Sequence, residues 1–169
     1  MKKGLLLFLL TFNLTMVPVL MKAQTVLNDA VVKVEGGANT PLIITHDVLK
    51  TFPRAVVNRK DKDGNNHLYT GAALSDILAK AGTTLGKELK GANLTKCLLV
   101  EAIDGYQVTF AFAELDKAFT DRIIILADEM DGKPLPVADG PYRVVVEGEK
   151  KPARCIKQVT GMSIKSIVK

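Results

Sequence analysis

Basic side chains near the carboxyl end of the chain are the residues whose types and spacing best suit chemistry. They are Arg143, Lys150, Lys151, Arg154 and Lys157. A guanidinium group donates two parallel hydrogen bonds to one oxyanion, and lysine adds a point charge. If this stretch folds back between two strands, several of these cations converge on one anion. The alternative is a solvated charged rim, neutralised by Glu147 and Glu149.

Other kinds of catalytic site find little support. The chain has two histidines, His46 and His67, and two cysteines, Cys97 and Cys155, and no two of them have the close spacing of a zinc knuckle. The sequence also lacks the GxSxG elbow of a serine hydrolase. Acidic residues at positions 128, 129 and 131 adjoin a predicted turn, where carboxylates are usually solvated.

A leader-like segment begins the chain. Lys2 and Lys3 precede an uncharged apolar run at residues 4–20, and Ala23 offers a small residue for cleavage. We expect residues 1–23 to be a signal peptide, residues 24–169 to form one domain, and the mature protein to be periplasmic or secreted. An uncleaved anchor is the alternative, although the run is a little shorter than the roughly 20 apolar residues of a membrane span.

Removing the leader changes the charge balance. Three of the 23 basic residues and none of the 18 acidic ones lie in it, so 20 basic residues remain and the net charge falls to +2. No dense run of Lys and Arg is left, and only 5% of the chain is aromatic, which argues against nucleic-acid binding. Nor do we expect a stable membrane anchor after cleavage.

Both cysteines follow the leader. In an oxidising compartment Cys97 and Cys155 could form a disulfide between strands that are distant in sequence. The alternative is two buried thiols, since each cysteine lies among aliphatic residues. The sequence leaves both readings open.

Short strands dominate the predicted secondary structure. Strands are predicted at residues 25–35, 41–44, 54–59, 96–102, 106–112, 122–128, 142–147, 154–160 and 163–168, with short helices at 46–51 and 72–81. The second helix is indicated by Leu74, Ile77, Leu78 and Ala81, which share one apolar face, and Gly82 follows as a terminating glycine. Because strands and helices do not alternate regularly, we predict an α+β fold with a mixed, mostly antiparallel sheet and few short helices.

Several segments, taken in order, resemble a known family. They are YTGAALSDIL (residues 69–78), AG (81–82), DGY (104–106), LAD (126–128), DGKPLP (131–136) and GPYRVVV (140–146). Together they resemble the oxidoreductase molybdopterin-binding domain, which is the central domain of the sulfite oxidase family. The resemblance covers about residues 31–168 and implies a mixed α+β domain with a large sheet.

The resemblance also implies a site. In members of the family that act as enzymes, Arg and Lys side chains hold the phosphate of the pterin. By position, Arg143, Lys151 and Arg154 correspond to these groups, and Asp104 and Tyr106 would line the same cleft. These five residues are the predicted cofactor-binding set.

The metal ligand of the family has no counterpart at the expected place. A Cys thiolate that binds molybdenum is expected within residues 55–68, and this segment contains no Cys. A soft metal needs a soft ligand, so we assign no metal-binding residue and do not expect the usual molybdenum ligation. Two functions stay open: a non-catalytic binding or accessory module for a small anion or pterin, and a periplasmic oxidoreductase that holds molybdopterin without a protein thiolate. The sequence names no protein partner.

Overall fold

The computed structural model describes residues 30–167. The predicted signal peptide, residues 1–23, lies outside the described residues. Within residues 30–167 no helix is both long enough and apolar enough to cross a membrane.

Five strands form the first sheet. They are β1 (Val32–Gly36), β2 (Leu42–Ile44), β5 (Lys96–Ala102), β6 (Gln107–Ala111) and β10 (Val159–Ser166). The order across the sheet is β2, β1, β10, β5, β6. The neighbours β1 and β10 are parallel, with Val34 opposite Met162, and the other pairs are antiparallel.

The remaining strands form a second, fully antiparallel sheet. They are β3 (Arg54–Lys60), β4 (Asn66–Ala73), β7 (Ile124–Met130), β8 (Lys133–Pro134) and β9 (Arg143–Val146). The strand β4 lies between β3 and β7, and β7 pairs with β8 and with β9. The resemblance implied one large sheet, whereas the described strands divide between two. The predicted class, a mixed and mostly antiparallel α+β fold, is confirmed.

Two short α-helices occur in the described residues, α1 (His46–Lys50) and α2 (Leu74–Lys80). At the start of α1 the Thr45 hydroxyl accepts a hydrogen bond from the Val48 backbone N–H at 3.2 Å. The helix α2 begins two residues later than predicted, because Ala72 and Ala73 pair with β7 as the end of β4. At its end Gly82 has φ +69°, the left-handed conformation that glycine adopts readily.

The main hydrophobic core lies between the two sheets. Val34 and Ile164 of the first sheet and Leu126 and Val144 of the second are all buried in it. A smaller cluster covers the opposite face of the second sheet: Val57, Tyr69, Ile125, Ala127, Leu135 and Val145. Arg143 lies opposite Ala127 in the register, so its side chain shares this second face with Tyr69.

Of the last two predicted strands, residues 154–160 are wrong as far as position 158, whereas residues 163–166 of the second do lie in a strand, β10. The first part of that region is a 3-10 helix, Pro152–Arg154, and Gln158 has φ +50°, which no extended strand accommodates. The strand β10 begins only after it and runs through Gly161, where a register shift between Val159 and Gly161 absorbs the bend. Proline at the first position of the 3-10 helix is a local sequence signal for a turn at this point.

The two cysteines are free and buried. Cys97 lies in β5 and Cys155 directly follows the 3-10 helix. The structure therefore contains two buried thiols, and the alternative of a disulfide between them is wrong.

Candidate functional site

A pocket of about 850 Å³ opens where the polar turns of both sheets meet. Its wall comes from the β3–β4 turn, the β5–β6 turn, the segment before β9 and the connection from β9 to β10. Four of the five predicted site residues lie in this wall: Asp104, Tyr106, Arg143 and Lys151. Four of the predicted residues therefore share one pocket, although the contacts within it differ from those of a simple basic loop.

Arg143 is the central cation of the pocket and is only 2% exposed. Its Nη1 donates hydrogen bonds to Asp139 Oδ2 at 2.8 Å, to Asp61 Oδ2 at 3.1 Å and to the Tyr69 hydroxyl at 2.5 Å. Its Nη2 reaches Asp61 Oδ1 at 3.3 Å, and its guanidinium carbon lies 4.8 Å from the centre of the Tyr69 ring. Burial disfavours the charge, but the bond to Asp61 and the surrounding negative charges outweigh it and raise the pKa of Arg143.

Asp61, in the β3–β4 turn, is the carboxylate most closely held by these groups. Besides its two bonds to Arg143, it accepts a hydrogen bond from the Tyr69 hydroxyl, and its Oδ1 lies 3.3 Å from Arg59 Nε. Burial would raise the pKa of Asp61, yet the hydrogen bonds from Tyr69 and Arg143 and the two positive charges lower it. Asp61 is therefore a carboxylate between two arginines.

Asp139 forms a second pairing at the floor of the pocket. It accepts from Arg143 and also lies 2.5 Å from Lys157 Nζ. Two of the cations in the wall are thus already neutralised by carboxylates. Lys62 and Lys151, by contrast, have no ion-pair partner among residues 30–167.

The β5–β6 turn closes another side of the pocket. Asp104 Oδ1 accepts a hydrogen bond from the Tyr106 backbone N–H at 2.9 Å, a contact internal to the turn. The Tyr106 hydroxyl donates to the Ala153 carbonyl at 3.1 Å, and its side chain is half exposed. This bond ties the first sheet to the β9–β10 connection across the pocket.

Arg154 does not join the other predicted residues in the wall. Its guanidinium forms a two-bond fork with Glu149, at 3.0 and 2.9 Å, and a third bond to Glu114 at 2.9 Å. It also lies 5.0 Å above the ring of Phe110. The hydrogen bonds that Arg154 donates to Glu149 raise the pKa of Arg154, and each of its three guanidinium nitrogens donates to a glutamate outside the pocket wall.

Sequence reasoning missed the role of His67. Its Nδ1 lies 2.7 Å from Asp131 Oδ2 and its Nε2 lies 2.9 Å from Asp63 Oδ2, so it joins the β3–β4 turn to the β7–β8 turn. The bonds to Asp131 and then to Asp63 raise the pKa of His67 to about 9. The four-residue spacing of Asp63 and His67 within a hairpin was the only sequence signal for this contact.

The donor set does not fit a molybdenum ion held by a protein thiolate. The segment 55–68 supplies β3, a polar turn and the start of β4, none of which contains a thiol. Cys155 is the thiol in the pocket wall, but it is 4% exposed, its Sγ accepts a hydrogen bond from Val146 N–H at 3.4 Å, and burial raises its pKa. No cluster of three His, Cys, Asp or Glu side chains suited to a metal occurs in residues 30–167.

Comparison with solved structures supports the fold. The crystal structure of the sulfane dehydrogenase SoxCD from Paracoccus pantotrophus matches with a TM-score of 0.61 and 23% sequence identity. The match covers 83% of this chain but 40% of that one, so the chain spans less than half the length of this relative. No curated protein matches at a significant level.

Comparison with family models is more direct. The model described as "Oxidoreductase molybdopterin binding domain" matches residues 21–167, which is most of the chain. The order of the motifs, the two-sheet fold and this match agree. The chain belongs to the oxidoreductase molybdopterin-binding domain family.

Proposed function

We propose that this protein is an exported, non-catalytic binding or accessory module of the molybdopterin-binding family, whose pocket takes a small anionic ligand or a pterin. One observation carries the proposal: the pocket wall contains two lysines, Lys62 and Lys151, that form no ion pair among the described residues, while its thiol is buried and bonded to the backbone. A ligand with an oxyanion group finds donors there, but a soft metal does not find a ready thiolate.

The charges in the wall support an anion rather than a cation. His67 is protonated at neutral pH because two carboxylates hold its pKa at about 9. Asp61 and Asp139 each neutralise a buried or half-buried cation. Lys151 and Lys62 line the same pocket without an ion pair among the described residues, as does Asp104, and the two lysines would attract an anion over distances of about a Debye length.

A molybdopterin-dependent oxidoreductase, or one subunit of one, is the alternative function. It is favoured by the family and by the likeness to a protein described as a sulfane dehydrogenase. In that case Arg143 and Lys151 would bind the pterin phosphate, and the cofactor would supply the redox chemistry without a protein sulfur ligand. No reaction step follows from the residues of this chain alone.

The leader-like residues 1–23 support the proposal of export, and with it a periplasmic or secreted location. We also propose that cleavage of the leader leaves no stable membrane anchor. Because the net charge of the mature chain is close to balanced, we propose no nucleic-acid partner. A protein partner is not identified by any feature of the chain.

The deciding experiment is metal and pterin analysis of the protein purified from its own cells. Elemental mass spectrometry should find far less than one molybdenum per chain, and N-terminal sequencing should begin near residue 24. A value close to one molybdenum per chain would refute the non-catalytic proposal and establish the oxidoreductase. The matched variant Cys155→Ser would then show whether that thiol is the ligand, because loss of the metal is expected only if it is.

A bound pterin or other anion without metal would support the binding module. Its retention should fall in Lys151→Ala, which removes an open charge from the pocket. The control is Lys133→Ala, an exposed lysine in β8 that does not line the pocket, and it should retain the ligand as the wild type does.

A further inference from the structure

The β3–β4 turn places a carboxylate where an external oxyanion would bind. Asp61 receives two hydrogen bonds from Arg143, at 3.1 and 3.3 Å, and one from the Tyr69 hydroxyl, and it lies 3.3 Å from Arg59 Nε. These three residues define what we call the arginine cradle: Arg59, Tyr69 and Arg143. Two guanidinium groups and a hydroxyl around one anion are the arrangement that recognises phosphate, sulfate or carboxylate.

The cradle has more donors than its own carboxylates use. The Nε groups of Arg59 and Arg143 are buried and have no hydrogen-bond partner among the described residues. Both side chains are more than nine-tenths buried, and Arg143 lines the pocket. A buried donor without a partner is costly, so these groups favour an anion with more oxygens than Asp61 supplies.

Asp61 is the partner that can leave. Its side chain is 18% exposed, it belongs to a short polar turn, and it lines the same pocket. If it turns away, Arg143 keeps its 2.8 Å bond to Asp139 and Arg59 keeps its 3.0 Å bond to the Glu149 carbonyl. Displacement of Asp61 therefore leaves neither arginine without a partner.

We infer that Asp61 is a built-in competitor for the arginine cradle, and that an oxyanion ligand binds there by displacing its carboxylate. The inference rests on the proposed function in that it concerns the same pocket, and it names the oxyanion as the chemical group recognised. Because the competitor is tethered, the apparent affinity of the wild type equals the intrinsic affinity multiplied by the fraction of molecules in which Asp61 is out of the cradle.

The test is phosphate binding by isothermal titration calorimetry to three purified proteins. Asp61→Asn removes the charge but keeps an oxygen that can accept from Arg143 and Tyr69. It should bind inorganic phosphate at least about tenfold more tightly than the wild type, because a like charge at contact distance is gone. The matched control is Asp104→Asn, which removes the same charge from the same pocket but from a side chain bonded only to its own turn. It should resemble the wild type.

Equal phosphate affinity in Asp61→Asn and Asp104→Asn would overturn the inference, because the gain would then come from overall charge.

If Asp61→Asn is too unstable to titrate, Asp61→Ala is used with chemical rescue. Added acetate or phosphate should raise its melting temperature more than chloride of equal ionic strength does. Equal effects of the three salts would also overturn the inference. Preference for acetate would indicate a carboxylate ligand, and preference for phosphate a phosphate ester.

This outcome is separable from the proposed function. The titration uses inorganic phosphate and purified protein, so it does not depend on which ligand or metal the native protein carries. A native preparation with molybdenum would refute the non-catalytic module while leaving the competition by Asp61 standing. If Asp61→Asn binds phosphate no more tightly than Asp104→Asn does, the inference is refuted, and Lys151 and Lys62 remain the proposed anion site.

Discussion

At the scale of single residues, the charges around the pocket act mainly on one another. Arg143 and Asp61 form one pair, Lys157 and Asp139 another, and Arg154 is fixed by glutamates outside the wall. Removing one member of a buried pair leaves an uncompensated charge, which costs far more than an exposed pair contributes. Substitutions of Arg143 therefore test folding as well as binding, and the informative changes are those that alter charge at its partners.

His67 gives a pH-dependent prediction at this scale. Its pKa is about 9 in the folded chain and about 6.5 when unfolded, so the protonated form is favoured by folding. The contribution of His67 to stability should be fully present below about pH 6.5 and should be lost as the pH rises through about 9. The check is the free energy of unfolding of the wild type minus that of His67→Gln, measured between pH 6 and pH 10.

Lys62→Gln is the control for this series. It removes a positive charge from the same turn without breaking an ion pair among the described residues. Its difference from the wild type should stay nearly constant between pH 6 and pH 9. If the stability difference between the wild type and His67→Gln were equally constant over this range, the hydrogen bonds of His67 to Asp63 and Asp131 would be contradicted.

At the scale of elements, the second sheet depends on a close approach between β4 and β7. A Cβ added at Gly71 would lie 2.0 Å from the Leu126 carbonyl oxygen and 2.6 Å from Ala127 Cα. The register shifts at this point, between Thr70 and Gly71. Gly71→Ala should therefore force the strands apart and lower the free energy of unfolding by about 3 kcal/mol or more. Chemical denaturation measures this.

The matched control is Gly161→Ala, at the bend of β10, where a Cβ meets nothing within 4 Å. Its stability should stay within about 1 kcal/mol of the wild type, because alanine only restricts the unfolded chain there. If both substitutions were tolerated equally, close packing at Gly71 would not be what positions β7 and the residues that follow it.

The limits of sequence-based prediction also lie at this scale. The strand β5 and the cap at Thr45 could be predicted, since alternation, burial and capping are local signals. The division into two sheets could not, because β1 pairs with β10 through contacts that span most of the chain. The arginine cradle around Asp61 could not be predicted for the same reason: Arg143 is 82 positions away in the sequence. Nothing in the local sequence distinguishes Asp61 from a solvated aspartate in a turn.

At the scale of the whole molecule, one core joins the two sheets. Val34, Leu98 and Ile164 of the first sheet share a cluster with Leu126 and Val144 of the second. The pocket is closed by connections between the sheets rather than by either sheet alone. Its geometry should therefore persist as long as the core does, and loss of the core should open it.

The two buried thiols make this cooperativity measurable. Cys97 reports on the first sheet, and Cys155 reports on the pocket wall. Titration of the unfolded protein should find two free thiols per chain. Each of the variants Cys155→Ser and Cys97→Ser leaves one thiol. Because both thiols are exposed only by global unfolding, the remaining thiol should become reactive at the same denaturant concentration in both variants. That concentration should also be the midpoint of the spectroscopic transition. Reaction of Cys155 at a clearly lower concentration would contradict this, and would show that the β9–β10 connection opens on its own while the sheets stay folded.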